Sequence, residues 1–283
     1  MKTRVISGAV FVAIVASFFV LRQFVDYRLF QILLWFFTAV STFEVARALK
    51  PFTGKGIMPL AIAYGILFTP FYCFIKYFAF PERAYLFAID LTLVFMIIAL
   101  LLNLICEKDF SVKKSLLSLV PFVYPAMFML TANMMNDLSE NSFVGMLLLF
   151  VISPFSDTFA YLVGMSFNKI KKGTAKKMCP ELSPKKTWAG AIGGVVGGII
   201  GALCCYFVFK PEVNFFSPVL FFILTGLIVS VLTELGDLFE SFIKRRAGIK
   251  DMGKIMPGHG GITDRIDGMM FASVFLFLMF LIF

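Results

Sequence analysis

Long apolar runs alternate with short polar connections along most of the chain. Nine of the runs have roughly the 18 to 25 residues that a helix needs to cross a hydrocarbon layer about 30 Å thick. They are Val5–Leu21, Leu29–Leu49, Ile57–Phe80, Ala84–Cys106, Leu116–Met135, Phe143–Met165, Trp188–Phe209, Phe215–Ile243 and Ile266–Phe283. Lipid offers the backbone no hydrogen-bond partner, and the runs lack the polar-in alternation of barrel strands. The pattern predicts an all-α polytopic integral membrane protein of about nine transmembrane helices.

Composition supports this prediction. The chain is 60% hydrophobic and 15% charged and contains 37 Phe, far from the composition of a soluble globular protein. The first run follows "MKTR" and ends in "FFVLRQ", with no small-residue cleavage pattern. We therefore interpret it as a retained anchor rather than a removed signal peptide.

Lys and Arg predict the orientation of the spans. With a cytoplasmic N-terminus and nine spans, cytoplasmic segments hold 21 of the 26 Lys and Arg. The other side holds Arg22, Arg28, Lys76, Arg83 and Lys210. This asymmetry follows the positive-inside rule and predicts a C-terminus outside the cytoplasm.

The net charge of +9 requires no nucleic-acid partner, since orientation and anionic membrane lipids account for most such charge in membrane proteins. Two predicted cytoplasmic loops, "NKIKKGTAKKMCPELSPKKT" and "KRRAGIKDMGK", are more basic than orientation demands. Solvated positive-inside loops remain one interpretation and anion binding the other. The five Cys show neither zinc-ligand spacing nor a disulfide framework.

The polar features are unevenly distributed. Residues 1–140 are predicted to form about five spans with short connections. Residues 141–283 are predicted to form a catalytic region of about four spans with basic cytoplasmic loops, and they contain most of the glycine and of the intramembrane acids. The halves show no internal repeat of the kind found in inverted-repeat transporters. Chemistry is therefore expected in the second region.

Carboxylates within apolar spans mark candidate functional positions. Each costs roughly 2.5 to 3.5 kcal/mol near the bilayer centre and so requires a partner or a wet cavity. Two isolated acids, Glu44 and Asp90, are interpreted as structural, for example by pairing with Arg47 or lying at an interface. Five others form the candidate set: Asp157, Glu234, Asp237, Asp264 and Asp267.

Spacing along predicted helices brings some of these acids together. Glu234, Asp237 and Ser241 line one helix face, and Asp264 and Asp267 do the same at the start of the next helix. Oxygen ligands of this type suit Mg²⁺, which keeps waters and commonly bridges to substrate phosphates. The alternative is a set of solvated acids paired with nearby basic side chains.

The polar segment "PGHGG" precedes the last span. Its glycines allow the backbone to approach a ligand closely, and the following helix N-terminus favours a phosphate group. His259, the only histidine, is predicted to donate to a phosphate or to shuttle a proton, with an unremarkable loop residue as the alternative.

A second anion-binding pattern precedes the seventh span. "SPKKTWAG" places Ser183, Lys185, Lys186 and Thr187 directly before a predicted helix N-terminus. It lacks the glycines of a Walker P-loop. The downstream "GAIGGVVGGIIG" predicts close helix packing.

Together these stretches resemble a known family. "SFIKRRAGIKDMGKIMPGHGGITDRID", Ser241 to Asp267, is similar to the signature of phosphatidate cytidylyltransferases, also called CDP-diacylglycerol synthases. "DTFAYLVG", "SPKKTWAG" and "LGDLFES" agree with it. Two departures are Ala189, where an acidic or amide residue is frequent, and Gly268, where Ser usually follows "DRID".

The resemblance implies that CTP and phosphatidic acid react to give CDP-diacylglycerol and pyrophosphate with Mg²⁺, at the cytoplasmic face of a membrane, most often the bacterial inner membrane. It implies Asp237 and Asp264 as metal ligands, K⁺ as a possible second cation, and a homodimer, for which the glycine-rich seventh span is one interface. The remaining predicted site residues bind or orient substrates; they are Lys185, Lys186, Arg265, Asp267, His259, Ser183, Thr187, Lys244, Arg245, Lys250, Asp157, Glu234 and Ser241.

Two other classes of protein remain as alternatives. A cation-coupled transporter would place acids near mid-membrane without adjacent phosphate-binding loops. The other is a different lipid-phosphate enzyme, such as a polyprenol kinase or a CDP-alcohol phosphotransferase. The phosphotransferase uses a different aspartate cluster, which this sequence lacks.

Overall fold

The structure, a computed structural model, describes residues 2–54, 56–106, 111–138, 142–212, 215 and 217–282. The helices are α1 Lys2–Phe24, α2 Phe30–Leu49, α3 Ile57–Phe74, α4 Ala84–Cys106, α5 Val112–Val123, α6 Ala126–Asn136, α7 Ser142–Ile170, α8 Trp188–Phe209, α9 Pro218–Arg246 and α10 Thr263–Ile282. One hairpin pairs β1 Lys177–Cys179 with β2 Ser183–Thr187. Short 3₁₀ turns cover Tyr27–Leu29, Lys50–Phe52 and Pro81–Arg83, and a π-helical turn covers Ile75–Ala79.

The all-α polytopic prediction is confirmed. Within the described residues nine helical segments are long and apolar enough to cross a membrane. The orientation stays a prediction; of the residues that entered its charge count, the side chains of Lys2 and Arg4 and all of Lys55 and Lys108 lie outside the described residues.

The predicted fifth span is two helices rather than one. Pro125 follows α5, and the residue before it, Tyr124, has extended backbone angles of φ −95° and ψ 97°. A proline disfavours the helical conformation in the residue that precedes it, which explains the break. The eighth span begins at Pro218 and the ninth at Thr263, each three residues from its predicted start.

The chain divides into two compact units. The first comprises Met1–Asp137 and Arg246–Ile266, and the second comprises Leu138–Arg245 and Asp267–Phe283. The basic segment after α9 therefore belongs to the first unit, although it follows the eighth span. The organisation into regions 1–140 and 141–283, which rests on where the polar loops lie, stays a prediction.

The first unit packs around aromatic side chains. Tyr64, Phe68 and Phe122 are fully buried in one apolar cluster. The Tyr64 hydroxyl donates to the Phe122 carbonyl at 3.0 Å and lies 2.8 Å from the Thr92 hydroxyl. Its polar end is thereby satisfied inside an apolar core.

The second unit depends on the glycines of α8. A Cβ at Gly193 would overlap Val163 on α7, a Cβ at Gly197 would overlap Phe159, and one at Gly198 would overlap Ser230 on α9. The glycines therefore let three helices of one chain pack closely, which confirms the predicted packing role. The suggestion that the seventh span forms a dimer interface stays a prediction: its glycine face packs against α7 and α9 of the same chain, whereas Ile192, Val196 and Ile200 of the same helix are exposed.

Candidate active site

One face of α9 carries the acidic residues of the second unit. Glu234, Asp237 and Glu240 follow one another at intervals of three residues, so they lie along the same side of the helix. Glu240 is completely buried and Glu234 nearly so, whereas Asp237 is half-buried. Buried carboxylates this close together require compensating positive charge.

Two glycines bring α9 against α10 at this point. A Cβ at Gly236 would lie 2.5 Å from the Asp267 carbonyl oxygen and 2.9 Å from the Gly268 Cα. A Cβ at Gly268 would lie 2.5 Å from Thr233 Cγ2, so a serine at that position would clash. The close crossing places Asp237 beside Asp267, which the "LGD" and "RIDG" sequences make possible.

The crossing creates a group of three carboxylates with metal-ligand geometry. Asp237, Glu240 and Asp267 each offer an oxygen, and these oxygens lie within 4.8 Å of one another. Such an all-oxygen set suits a hard divalent cation such as Mg²⁺.

Lys186 supplies positive charge from the hairpin. Its Nζ lies 2.5 Å from Glu234 Oε2 and 2.7 Å from Asp237 Oδ2. Neighbouring strand residues point to opposite faces, so Lys185 is exposed while Lys186 turns toward the acids. Burial by itself would lower the pKa of the Lys186 ammonium, but the charges of Asp237 and Glu234 and hydrogen bonds to both outweigh it and raise the pKa.

A second lysine faces the group from α9 itself. Lys244 Nζ lies 2.5 Å from Glu240 Oε2, one helical turn away. Two ammonium groups therefore face four carboxylates, those of Glu234, Asp237, Glu240 and Asp267. The carboxylates outnumber the ammonium groups, so the site keeps an excess of negative charge, and its oxygen donors fit a divalent cation such as Mg²⁺.

Three further predicted residues lie at the same place. The Asp157 carboxylate on α7 is close enough to Asp267 and Asp237 for repulsion between the charges. The Ser241 hydroxyl is 3.4 Å from Asp237 Oδ1. Arg245 is exposed and donates from Nε to the Leu182 carbonyl at 3.3 Å. The second unit thus gathers most of the acidic residues that the sequence singled out.

The glycine loop before α10, residues 257–261, belongs to the first unit. The Asp264 carboxylate holds this loop through hydrogen bonds. Asp264 Oδ2 accepts hydrogen bonds from the backbone N–H of Met252 at 2.9 Å and of Gly261 at 2.7 Å. Gly260 has φ +92°, and a Cβ there would approach the same carboxylate to 2.7 Å. Glycine is therefore required at this position for both reasons. The assignment of Asp264 to the metal stays a prediction.

Glu44 on α2 holds the other side of this loop. It is fully buried, and its Oε2 accepts from the backbone N–H and the hydroxyl of Thr263 at 2.9 and 2.8 Å. Its Oε1 accepts from the N–H of Ile262 at 3.3 Å. The carboxylate thus satisfies donors at the start of α10. The structural role is confirmed, but pairing with Arg47 is wrong, since Arg47 Nη2 donates to the Met252 carbonyl at 2.5 Å.

His259 contacts Ser7 of α1. Its Nδ1 lies 2.7 Å from the Ser7 hydroxyl, which itself donates to the Pro257 carbonyl at 3.0 Å. When the Ser7 hydroxyl proton is directed to the Pro257 carbonyl, Nδ1–H is the donor to Ser7 and Nε2 is the acceptor nitrogen of the neutral ring. Ser7 was not anticipated, since a serine near the start of an anchor carries no distinguishing pattern.

The remaining predicted residues are on the surface or act as caps. Lys250 and Arg265 are exposed in the first unit, and Ser183 is half-buried in β2. Thr187 is buried and caps α8, its hydroxyl accepting from the Gly190 N–H at 3.1 Å. These positions leave their proposed substrate contacts as predictions.

Sequence reasoning missed one carboxylate of the site, Glu240, and separately the partners of Glu44. Glu240 lies three residues after Asp237, so helical spacing could have identified it as a third ligand on that face. Glu44 was recognised as buried, but its partners are more than two hundred residues away in the chain. Only the tertiary structure could identify them.

The fold is that of a polytopic membrane protein, and the three acids Asp237, Glu240 and Asp267 lie beside Lys186. Together they define a class of membrane protein with a site suited to a metal ion and a phosphate group. A family model described as the cytidylyltransferase family matches residues 2–283. With that match over nearly all of its length, the chain belongs to the cytidylyltransferase family.

Similar proteins carry the name phosphatidate cytidylyltransferase. The one from Bacillus subtilis (strain 168) is 29% identical over 283 residues, which is 100% of this chain and 98% of that protein. One from Rickettsia conorii is 39% identical over 125 residues, 44% of this chain and 52% of that protein. One from Brucella abortus (strain 2308) is 35% identical over 136 residues, 48% of this chain and 46% of that protein. The last two alignments thus span about half of each relative.

Proposed function

We propose that this protein is a phosphatidate cytidylyltransferase. A phosphate oxygen of phosphatidate attacks the α-phosphorus of CTP, the bond from that phosphorus to the β-phosphate oxygen breaks, and pyrophosphate leaves with the electron pair. The products are CDP-diacylglycerol and pyrophosphate. The observation that carries the proposal is the group of Asp237, Glu240 and Asp267 beside Lys186, in a chain similar along its whole length to a protein of that name.

Asp237, Glu240 and Asp267 would hold Mg²⁺, and Asp264 is kept as a further ligand on the resemblance alone. When bound, the ion would neutralise negative charge on the triphosphate and on departing pyrophosphate. K⁺ is proposed as the accompanying monovalent cation, also on the resemblance.

The chain's own cationic groups bind and orient the two anionic substrates. Lys186 is already fixed between two carboxylates, so it can hold a phosphate without a large loss of side-chain entropy. Lys185, Arg245 and Arg265 are exposed and can meet the triphosphate or the lipid phosphate from solvent. Phosphatidate is an anion near neutral pH, so the reaction needs no strong general base.

The proposed location is a multi-pass position in a membrane, the bacterial inner membrane, with the site on the cytoplasmic side. CTP arrives from water on that side, and phosphatidate arrives laterally from the leaflet. The excess of Lys and Arg in the loop before α8 and in the loop after α9 supports this orientation. A homodimer is proposed from the resemblance, with an interface other than the glycine face of α8.

The experiment measures transfer of label from CTP to lipid by the purified protein with phosphatidate and Mg²⁺. The isosteric variants Asp237→Asn, Glu240→Gln and Asp264→Asn each remove one carboxylate, and we expect a loss of about a hundredfold or more for Asp237→Asn. Glu82→Gln, at an exposed acid in the turn before α4, is the matched control and should retain full turnover.

Parental turnover in both Asp237→Asn and Asp264→Asn would reject the assignment of these residues. Absence of labelled lipid with the parent chain, together with lipid-stimulated ion flux, would favour a transporter over the proposed enzyme.

A further inference from the structure

Ser7 on α1 contacts two points of the glycine loop. Its hydroxyl oxygen lies 3.0 Å from the Pro257 carbonyl oxygen and 2.7 Å from His259 Nδ1. The next residue, Gly8, lies against the same ring, since a Cβ there would come within 3.3 Å of His259 Cε1. The only histidine of the chain is therefore positioned by a helix that lies 252 residues earlier in the sequence.

The backbone that carries this histidine is a closed turn. The N–H groups of His259 and Gly260 both donate to the Met256 carbonyl, at 2.9 and 3.1 Å, and the Met256 N–H donates to the Gly260 carbonyl at 2.9 Å. Gly258 and Gly260 have φ +78° and +92°, which glycine adopts without a Cβ clash. The main freedom left to His259 is the rotation of its side chain, and the contact with Ser7 restricts that rotation.

The single proton of the Ser7 hydroxyl decides the state of the ring. A carbonyl oxygen can only accept, so the contact between Ser7 and Pro257 is a hydrogen bond only when the hydroxyl donates to the carbonyl. If that proton were directed to the ring, two acceptor oxygens would face each other with no hydrogen between them. Nδ1 must therefore carry a hydrogen and donate it to Ser7. The neutral ring then has its lone pair on Nε2.

We propose that Ser7 is a positioning residue that holds His259 in the Nδ1–H form and so makes Nε2 a proton acceptor. Two roles are open to this histidine from the sequence, donation to a phosphate and transfer of a proton. The neutral ring in this form has no hydrogen on Nε2 to donate, so the tautomer selects the second role. The ring is half-buried, which leaves part of it open to a ligand.

The catalytic part of this inference rests on the proposed function. A singly protonated phosphate group of the lipid substrate gives its proton to Nε2, and the nitrogen lone pair forms the new N–H bond. The phosphate oxygen keeps the electron pair of the broken O–H bond and attacks the α-phosphorus of CTP. The imidazolium keeps its Nδ1–H bond to Ser7 and afterwards releases the Nε2 proton to water. Imidazole is the side chain used most often for such transfers, and a weak base is sufficient here.

The test observes the ring directly. Because the chain has one histidine, ring-¹⁵N-labelled histidine gives the signals of a single imidazole when the protein is purified through a tag that contains no histidine. Correlations between the ring carbon protons and the ring nitrogens show which nitrogen carries hydrogen. Spectra are recorded above the pH range in which the ring signals shift, where the ring is neutral. We expect hydrogen on Nδ1 in the parent chain.

Variants on α1 show whether Ser7 is responsible. Ser7→Ala removes the acceptor, and we expect the hydrogen to move to Nε2 in most molecules, whereas Ser7→Thr keeps a hydroxyl group and should keep the hydrogen on Nδ1. Ser17→Ala is the matched control and should change nothing, because Ser17 is an exposed serine of the same helix that donates to the Ala13 carbonyl. Hydrogen on Nε2 in the parent chain, or a tautomer that Ser7→Ala leaves unchanged, would overturn the proposal.

Turnover shows whether Ser7 acts through His259. We expect His259→Gln to lower the transfer of label from CTP to lipid by about a hundredfold and Ser7→Ala by about tenfold, since each removes part or all of a general acid–base contribution. In the His259→Gln chain, Ser7→Ala should cause no further loss. An equal loss in both chains, or parental turnover of His259→Gln, would contradict the catalytic role. If the parent chain made no labelled lipid, the proposed function would fail, while the tautomer result would stand.

Discussion

Buried and half-buried carboxylates in this chain meet two kinds of donor. Glu44 and Asp264 accept from backbone N–H groups and shape the loop before α10. Asp237 and Glu240 are paired with lysines and point to where a cation would bind. Glu44 is expected to matter for folding and Asp237 and Glu240 for turnover, and Asp264, which holds the loop and is proposed as a metal ligand, is expected to matter for both.

Replacing Glu44 tests the loop-holding role. Glu44→Ala leaves three buried donors without an acceptor, and at about 1 to 3 kcal/mol for each buried group it should lower the free energy of unfolding by about 3 kcal/mol or more. Glu44→Gln keeps one oxygen and should be intermediate. Unfolding by denaturant in detergent measures both, with the exposed Glu82→Ala as a control that should change stability by less than about 0.5 kcal/mol. A Glu44→Ala chain as stable as the control would refute the role.

The raised pKa of Lys186 predicts a pH dependence. Because the folded pKa is raised, the pairing of Lys186 with its acids contributes fully below the ordinary value of 10.5 and is lost as pH rises through the folded value. The stability difference between the parent chain and Lys186→Met should be constant from about pH 7 to 10 and shrink above that range. Exposed Lys185→Met is the matched control and should show little difference. A gap that shrinks already near neutral pH would contradict the assignment.

At the scale of elements, small residues and prolines determine where helices approach or break. Gly236 and Gly268 allow α9 to cross α10, and Pro125 divides the fifth span into α5 and α6. Because Pro70 has no N–H, the Ile66 carbonyl of α3 lacks its helical donor, and the Trp35 indole of α2 donates to it instead. These effects arise from the loss of a Cβ or an N–H and so are properties of single positions with consequences for whole helices.

A double-mutant cycle tests the link between α2 and α3. Trp35→Phe removes the donor to the Ile66 carbonyl, whereas Pro70→Ala returns a backbone N–H to the same carbonyl. We expect Trp35→Phe to cost less when it is combined with Pro70→Ala, with a coupling of about 0.6 to 1.7 kcal/mol as for hydrogen bonds between membrane helices. Unfolding measurements on the four chains give the coupling. Strictly additive effects would mean that the indole bond does not depend on the proline.

Helix positions were largely predictable, because a span must be long, apolar and continuous to satisfy its backbone in lipid. The ends were less so: α10 begins at Thr263 rather than Ile266, since Glu44 satisfies the donors of its first turn. The acidic face of α9 was predicted from spacing, and the same spacing includes Glu240, but the position of Asp267 beside that face depends on the approach of α10 at Gly236.

At the scale of the whole molecule, the distribution of Lys and Arg predicts which loops face the cytoplasm. Residues 168–187 and 244–254 are among the most basic segments of the chain. The hairpin of β1 and β2 places the Lys186 ammonium against the carboxylates of Glu234 and Asp237. If CTP enters from the cytoplasm, this hairpin must lie on that side.

Cys179 on β1 is a native probe of this orientation. With the other cysteines replaced by alanine, a membrane-impermeant maleimide should label Cys179 in spheroplasts only after permeabilisation. A cysteine introduced at Glu82, in a loop predicted on the opposite side, should be labelled without permeabilisation. Mass spectrometry of the purified chain measures the labelled fraction. The reverse pattern would invert the predicted topology and move the site to the other face.

The sequence by itself determined the membrane class, the approximate spans and the residues with unusual chemistry, because the cost of placing polar groups in lipid leaves a local signature. The tertiary structure decided the partners: Asp267 beside Asp237 and Glu240, Glu44 against the first turn of α10, and Trp35 against the Ile66 carbonyl. Pairings between distant segments depend on how helices cross, and crossings are determined by packing over the whole chain rather than by any local pattern.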